Sequence, residues 1–422
     1  MSRGLSASKT EHGHTETPTR MTRRTSERFQ RRKKDIVASA VQALNRKGVR
    51  GMTLADVAAQ LGIVPTGVIY YFKNKEELAE ACFMLAVARY EGFVQEAEAA
   101  ESARERIAAF NRAYFNFRHA EALGQAEHVA VFNDVRALNR EAVNVAYVDM
   151  FRRIRSLFDG PGAEQLTRLE RNARTHLLLS EAFWEVVWLS KLEPEDYERA
   201  ADRTQSLLLD GLMAGGARWD PRPLPDLIGE AEADAGEQFL RAATQLINEE
   251  GYLGASVDKI SARLNLTKGA FYYHHETKDE LVVACFERTF QIMRRAIRQA
   301  ERVSSNGLQA LMTAAAALVE CQASGDSPLL RTSALTTAPV SIQPQLHAKF
   351  DGVADRFAAL ISDGIADGSV RPVDVNITAQ MLTAMINAAA ELHFWTPGLE
   401  RGQEVDLYVR PFFEGLLTPG AA

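Results

Sequence analysis

Residues 36 to 83 and residues 239 to 286 of this 422-residue chain are two versions of one segment. They align without a gap at a constant offset of 203, and 14 of the 48 paired positions are identical, where composition alone gives roughly three. Self-similarity at a fixed spacing marks an internal duplication, so whatever one segment folds into, the other folds into as well. The fold is therefore a problem in two similar halves, each of about 200 residues and each long enough to bury a core of its own.

Each copy reads as a helix-turn-helix. In the first, Ile36, Ala40, Val41 and Leu44 share one helical face, and Gly48 stops that helix. Thr53 is placed to cap a short helix bearing Leu54, Val57, Ala58 and Leu61, after which Gly62 permits a sharp turn. Pro65 suits the opening turn of a third helix, and Asn74 caps a fourth that begins at Lys75. The second copy repeats this grammar with Gly251 as the stop, Ser256 as the cap, Thr267 opening the third helix and Thr277 in place of Asn74. A short helix braced across a longer one fits the roughly 12 Å major groove of duplex DNA.

The runs GIVPTGVIYYFKNKEEL and NLTKGAFYYHHETKDEL closely resemble the recognition region of TetR-family transcriptional regulators. The resemblance implies an all-α protein, with two TetR-like units that each carry a three-helix DNA-binding head followed by a helical regulatory domain. It places Val64, Pro65, Thr66, Gly67, Tyr70 and Tyr71 against DNA in the first head, with Thr53 and Lys75 on the backbone. The matching positions in the second head are Thr267, Lys268, Gly269, Ala270, Tyr273 and His274, with Ser256 and Lys278. Both lysines sit at a helix N-terminus, which the helix dipole does not favour for a cation, so a phosphate partner accounts for them better than helix stability does.

The repetition extends beyond the heads. SLLLDGL at 206 to 212 and RPFFEGL at 410 to 416 stand at an offset of 204, so the regulatory regions differ by one net residue. Between the halves, 217 to 236 carries Pro221, Pro223 and Pro225 and reads as a linker. The expected organisation is a basic, disordered arm at 1–30, a first head at 31–80 and a first regulatory and dimerisation domain at 81–214. A linker at 215–235, a second head at 236–283 and a second regulatory domain at 284–422 follow. Two assemblies satisfy the pattern: a chain that pairs its own halves as a pseudo-dimer, or a homodimer presenting four heads.

Net charge is −6, yet residues 1 to 34 hold ten Lys/Arg against three Glu, which leaves about −13 on the remainder. A leading arm of about +7 suits a phosphate backbone. No apolar run is long enough to span a bilayer and the N-terminus is polar, which points to a cytoplasmic protein without membrane partners. Of three cysteines, Cys82 and Cys285 occupy equivalent places and suit helix packing rather than a disulfide. No GxSxG, HExxH, GxxxxGK[ST] or clustered Cys/His motif occurs, so no enzyme, cofactor or metal is expected.

The partners expected are a double-stranded DNA operator and a small, apolar effector. By resemblance, candidates for the effector pocket are Phe115, Trp184, Trp188, His393 and Trp395. The function expected is a ligand-responsive repressor with two heads per chain; the competing reading is a helical ligand-sensing adaptor or scaffold in which one or both heads no longer bind DNA.

Overall fold

The computed structural model describes residues 20–225, 227, 235–263, 277–325, 328–332, 334 and 341–418. Among them secondary structure is helical apart from one isolated antiparallel bridge between Met213 and Val370. The first head consists of α1 (Arg20–Gly51), α2 (Leu54–Gln60) and α3 (Pro65–Ile69). The first regulatory body follows as α4 (Lys75–Ala97), α5 (Ala103–Ala122), α6 (Glu141–Arg155), α7 (Arg168–Leu189) and α8 (Tyr197–Asp210). The second half supplies α9 (Ala235–Gly254), α10 (Val257–Arg263), α11 (Lys278–Val303), α12 (Gly307–Ser324), α13 (Gln343–Ala366) and α14 (Val375–Ala388), then short turns of helix through Glu414.

The stops and caps fall where the sequence puts them. Gly48 breaks α1 at φ 68° and ψ 175°, and Gly251 breaks α9 at φ 71° and ψ 168°. Each rod resumes for one further turn before the second helix, a continuation that the expected stop did not include. Thr53 and Asp56 form a reciprocal capping box at α2. Asn74 and Thr277 cap α4 and α11 by accepting from the backbone amides of Glu77 and Glu280. Burial repeats too: Cys82 Sγ lies 3.8 Å from the Val37 carbonyl, and Cys285 Sγ lies 3.8 Å from that of Leu240, again 203 residues on. Both thiols are free, and burial pushes each up to about 12, so both behave as small apolar packing groups.

The two halves pack on each other along α7, α8 and α14. The α7 helix is buried on nearly every side, because one face closes the first body and the other meets the second. On α14, Met381 and Met385 are fully buried, with Ala389 and Leu392 buried just beyond its end. Gly211 and Gly415, the glycines of the repeated DGL and EGL triplets, meet across this boundary. Gly211 has φ 64° and Gly415 has φ 101°. A Cβ on Gly211 would lie 2.5 Å from the Phe413 carbonyl carbon and closer still to its oxygen, while one on Gly415 would lie 2.5 Å from the Leu209 oxygen. This close approach lets Leu212 N donate to Phe413 O at 2.8 Å and Leu416 N donate to Leu208 O at 2.8 Å, a reciprocal exchange between halves.

Polar side chains add to this seam. Arg371 donates to the Gly211 and Ser206 carbonyls, Arg174 to the Thr418 carbonyl at 2.7 Å, and Trp184 Nε1 to Gln380 Oε1 at 3.2 Å. His176 Nε2 donates to the Ala388 carbonyl at 2.9 Å. Burial holds its imidazole neutral, with a pKa down at about 4 despite that bond. At the head end, Arg50 of α1 stands 3.8 Å from Glu250 of α9.

Candidate nucleic-acid interface

The first head presents a compact outward face. Pro65 stands at the first helical position of α3 and the preceding residue Val64 is extended, so α3 starts abruptly after the Gly62 turn. Val68, on the inner side, is fully buried and anchors the helix. On the outer side Val64 is 65 % exposed, Ile69 48 % and Tyr70 74 %, with Pro65 and Thr66 exposed beside them. Apolar side chains left in water on a five-residue helix mark a contact surface, and in a major groove they suit thymine methyl groups. Gly67 is half-buried and turned toward Ile63.

Tyr70 and Tyr71 are held by α1. Phe29 packs against both rings, 6.0 Å from Tyr70 and 4.7 Å from Tyr71 between centroids, and Lys33 lies 5.2 Å over Phe72. The basic stretch RRKK at 31 to 34 thus runs beside the end of α3, which brings positive charge to the side that offers hydroxyls. Thr53 is exposed but spends its hydroxyl on the Asp56 capping box. Lys75 is engaged as well: its ammonium donates to the Val49 carbonyl at 3.3 Å and the Arg50 carbonyl at 2.9 Å. These carbonyls close the end of α1, where a cation is favoured, and one of the three ammonium hydrogens is left over.

In the second head Ser256 Oγ accepts from the Lys259 amide at 3.3 Å, matching the Thr53 cap. Lys278 differs from Lys75: its ammonium sits 4.2 Å over the Tyr252 ring, and burial pulls its pKa down against the nearby Asp279. Tyr252 in turn donates to Asp279. Thr267, Lys268, Gly269, Ala270, Tyr273 and His274 lie outside the described residues.

A joint between head and body recurs in both halves and was not anticipated. Asn45 of α1 donates to the Val129 carbonyl at 2.9 Å and accepts from the Val131 amide at 3.0 Å. Asn248 of α9 donates to the Leu329 carbonyl at 2.9 Å and accepts from the Arg331 amide at 2.9 Å. From the body side, Glu121 accepts from Val129 N and Gln322 accepts from Leu329 N. Each loop is therefore gripped between a head asparagine and a side-chain oxygen of the body. The signal that could have revealed it is that Asn45 and Asn248 are one of the 14 identities between the copies.

The five effector candidates separate. Phe115 is 1 % exposed and lies in the first body's core. His393 is exposed, with Nε2 bonded to the Ala323 carbonyl at 2.9 Å. Trp184 and Trp395 line a cavity of about 500 Å³, and Trp188 a groove of about 540 Å³. Both spaces lie between the halves. Within the first body, by contrast, the space left among Tyr90, Phe93, Tyr114 and Phe117 is only about 20 Å³, room for little more than one water.

Glu181 and Glu185, one turn apart on α7, are almost fully buried, and each keeps one oxygen without a hydrogen-bond partner. Burial pushes both well above the usual carboxylate range, and the Glu185 charge pushes Glu181 further. The folded chain therefore retains protons that the unfolded chain releases near 4.5. The stability they contribute is present below that value and is lost as the pH climbs toward their raised values. The double variant Glu181→Gln and Glu185→Gln should match the parent near pH 4.5 and exceed it by roughly 1–3 kcal/mol at pH 8. Urea unfolding across that range measures this; a gain independent of pH would mean the carboxyls do not titrate as described.

A helix-turn-helix head carried on a helical body, with its first two helices repeated 203 residues on, defines the class of DNA-binding regulators. The model for bacterial regulatory proteins of the tetR family matches residues 36–82 and again 239–285. The HTH-type transcriptional repressor DhaR of Mycobacterium sp. (strain GP1) is 25 % identical over 191 residues, 44 % of this chain and 94 % of DhaR. The HTH-type transcriptional regulator TtgR of Pseudomonas putida is 38 % identical over 61 residues, 14 % of this chain and 29 % of its own length. A solved structure of PfmR, a TetR-family regulator from Thermus thermophilus, is 20 % identical with a TM-score of 0.36, covering 42 % of this chain and 98 % of PfmR. The chain is a tandem TetR-family transcriptional regulator, with the family's segment at 36–82 and again at 239–285. No helix among the described residues is long and apolar enough to cross a membrane.

Proposed function

We propose that one chain acts as its own dimer, a repressor that occupies a single operator with both heads and leaves it when an effector binds. Val64, Pro65, Thr66, Gly67, Tyr70 and Tyr71 read the groove from the first head, with the spare ammonium hydrogen of Lys75 and the backbone around Thr53 on phosphates. The corresponding second-head set is Thr267, Lys268, Gly269, Ala270, Tyr273 and His274, flanked by Ser256 and Lys278. The observation that carries this reading is the reciprocal exchange at Gly211 and Gly415, which gives the halves the self-complementary contact that two subunits have in a dimer. Tethering makes that pairing intramolecular, so it persists at any dilution.

The effector acts by differential affinity for two arrangements of the heads, only one of which lets both reach successive major grooves. Sedimentation of the free chain, and of the chain on the DNA fragment protected in a footprint upstream of its own gene, tests the proposal. The expected results are a single-chain mass in solution, one chain per fragment, and protection over about one to two helical turns. Two chains per fragment would replace the self-paired chain with a homodimer, and no protected DNA would favour the adaptor reading.

A further inference from the structure

We propose that the cavity of about 500 Å³ between the halves is the effector site and that it takes one aromatic carboxylate per chain. The assignment rests on the regulator reading above and adds to it a place, a ligand class and a stoichiometry. The first body's own interior is packed by aromatic rings, whereas this cavity is open and of a size that suits a small organic ligand. Its walls come from everything an effector has to influence: Tyr147, Phe151 and Trp184 of the first half, Glu391 and Trp395 of the second, and the 247–251 end of α9 in the second head.

Charge selects the class. Arg136 and Arg331 both line the cavity and share a single carboxylate: Arg331 Nη2 is 2.6 Å from Glu391 Oε1, and Arg136 Nη2 is 3.7 Å from Oε2. The other two acids on the wall are already matched, Glu249 by Arg263 at 2.7 Å and Glu250 by Lys259 and Arg50. One positive charge is therefore left over. Arg331 Nε is buried without a partner, and the Arg136 guanidinium, only loosely tied to Glu391, lies 3.9 Å over the exposed Phe394 ring. An arginine that is 42 % exposed swings at little cost. A carboxylate between the two guanidiniums would complete the set, and flat rings would lie against Trp184, Phe151 and Trp395.

Both arginines belong to segments clasped by the heads. Asn248 of the second head holds the Arg331 amide itself, and Asn45 of the first holds Val131, at the start of the short turn Phe132–Leu138 that carries Arg136. A ligand that draws the arginines together pulls on both heads at once.

Titration calorimetry of the full chain with biphenyl-4-carboxylate and with biphenyl-4-carboxamide, the same shape without the charge, tests the site. The expected result is one acid per chain, with the amide about tenfold weaker. Arg136→Gln should weaken the acid about tenfold and leave the amide unchanged; Trp395→Ala should weaken both. Two acids per chain, equal affinity for acid and amide, an acid indifferent to Arg136→Gln, or no saturable binding would each overturn the proposal. DNA binding of the same preparation is measured in parallel. A chain that holds its operator but fails these ligand tests loses the effector site alone, and one that holds no DNA loses the regulator reading.

Discussion

Replacing Thr66 and Tyr70 together with glutamate should reduce operator affinity by about a hundredfold or more while leaving the fold intact. Both side chains are exposed, Thr66 on α3 and Tyr70 just past its end at 74 %, and Val68, which anchors the helix, is untouched. The new carboxylates would face phosphates, so the altered head is repelled rather than merely weakened. The second head then has to hold the site unaided, and an interaction that gained about 10²–10⁴ from having two linked contacts loses that gain. Fluorescence anisotropy on the protected fragment at fixed salt measures the change, and the far-ultraviolet spectrum checks the helices. A loss below about threefold would mean that the first head does not carry binding.

The second large effect concerns the seam. Gly211→Val should destabilise the pairing of the halves by about 3 kcal/mol or more. Two terms combine. The backbone at φ 64° and ψ −157° is open in practice to glycine alone, a strain on the order of 1–3 kcal/mol for another residue. The side chain would also drive into the Phe413 carbonyl, which receives the amides of Leu212 and Met213. Gly402→Ala is the control: its φ is 92°, but an added Cβ meets nothing within 4 Å, so it carries strain without collision. Urea unfolding should show a single transition splitting into two for Gly211→Val and only a small shift for Gly402→Ala. Equal effects from both would mean that the close approach adds nothing.

What the chain's letters reveal, and what they conceal, follows from the range of each interaction. Caps and stops are local, so Thr53, Asn74, Thr277, Gly48 and Gly251 are legible from their neighbours and fall in place. The duplicated DGL and EGL triplets are legible as repeats, but nothing in either says that it touches the other, because their separation of 204 residues is bridged only when two surfaces pair. Asn45 and Asn248 read locally as helix-end residues ahead of a glycine; their partners are 81 to 86 residues away. Helical periodicity marks Phe115 and Trp184 alike as inward-facing, yet one fills a core and the other borders a cavity, and that difference depends on what stands opposite.

The seam at Gly211 and Gly415 carries a further consequence. Two identical subunits related by a twofold axis impose palindromy on the DNA that they read. Here the partners are encoded in tandem and already differ at 34 of the 48 aligned positions (48 − 14), so each is free to change without altering its mate. For the self-paired chain proposed above, the duplex sequence selected from a random pool would be released from mirror-image half-sites, and a promoter without any inverted repeat would become addressable by one gene product.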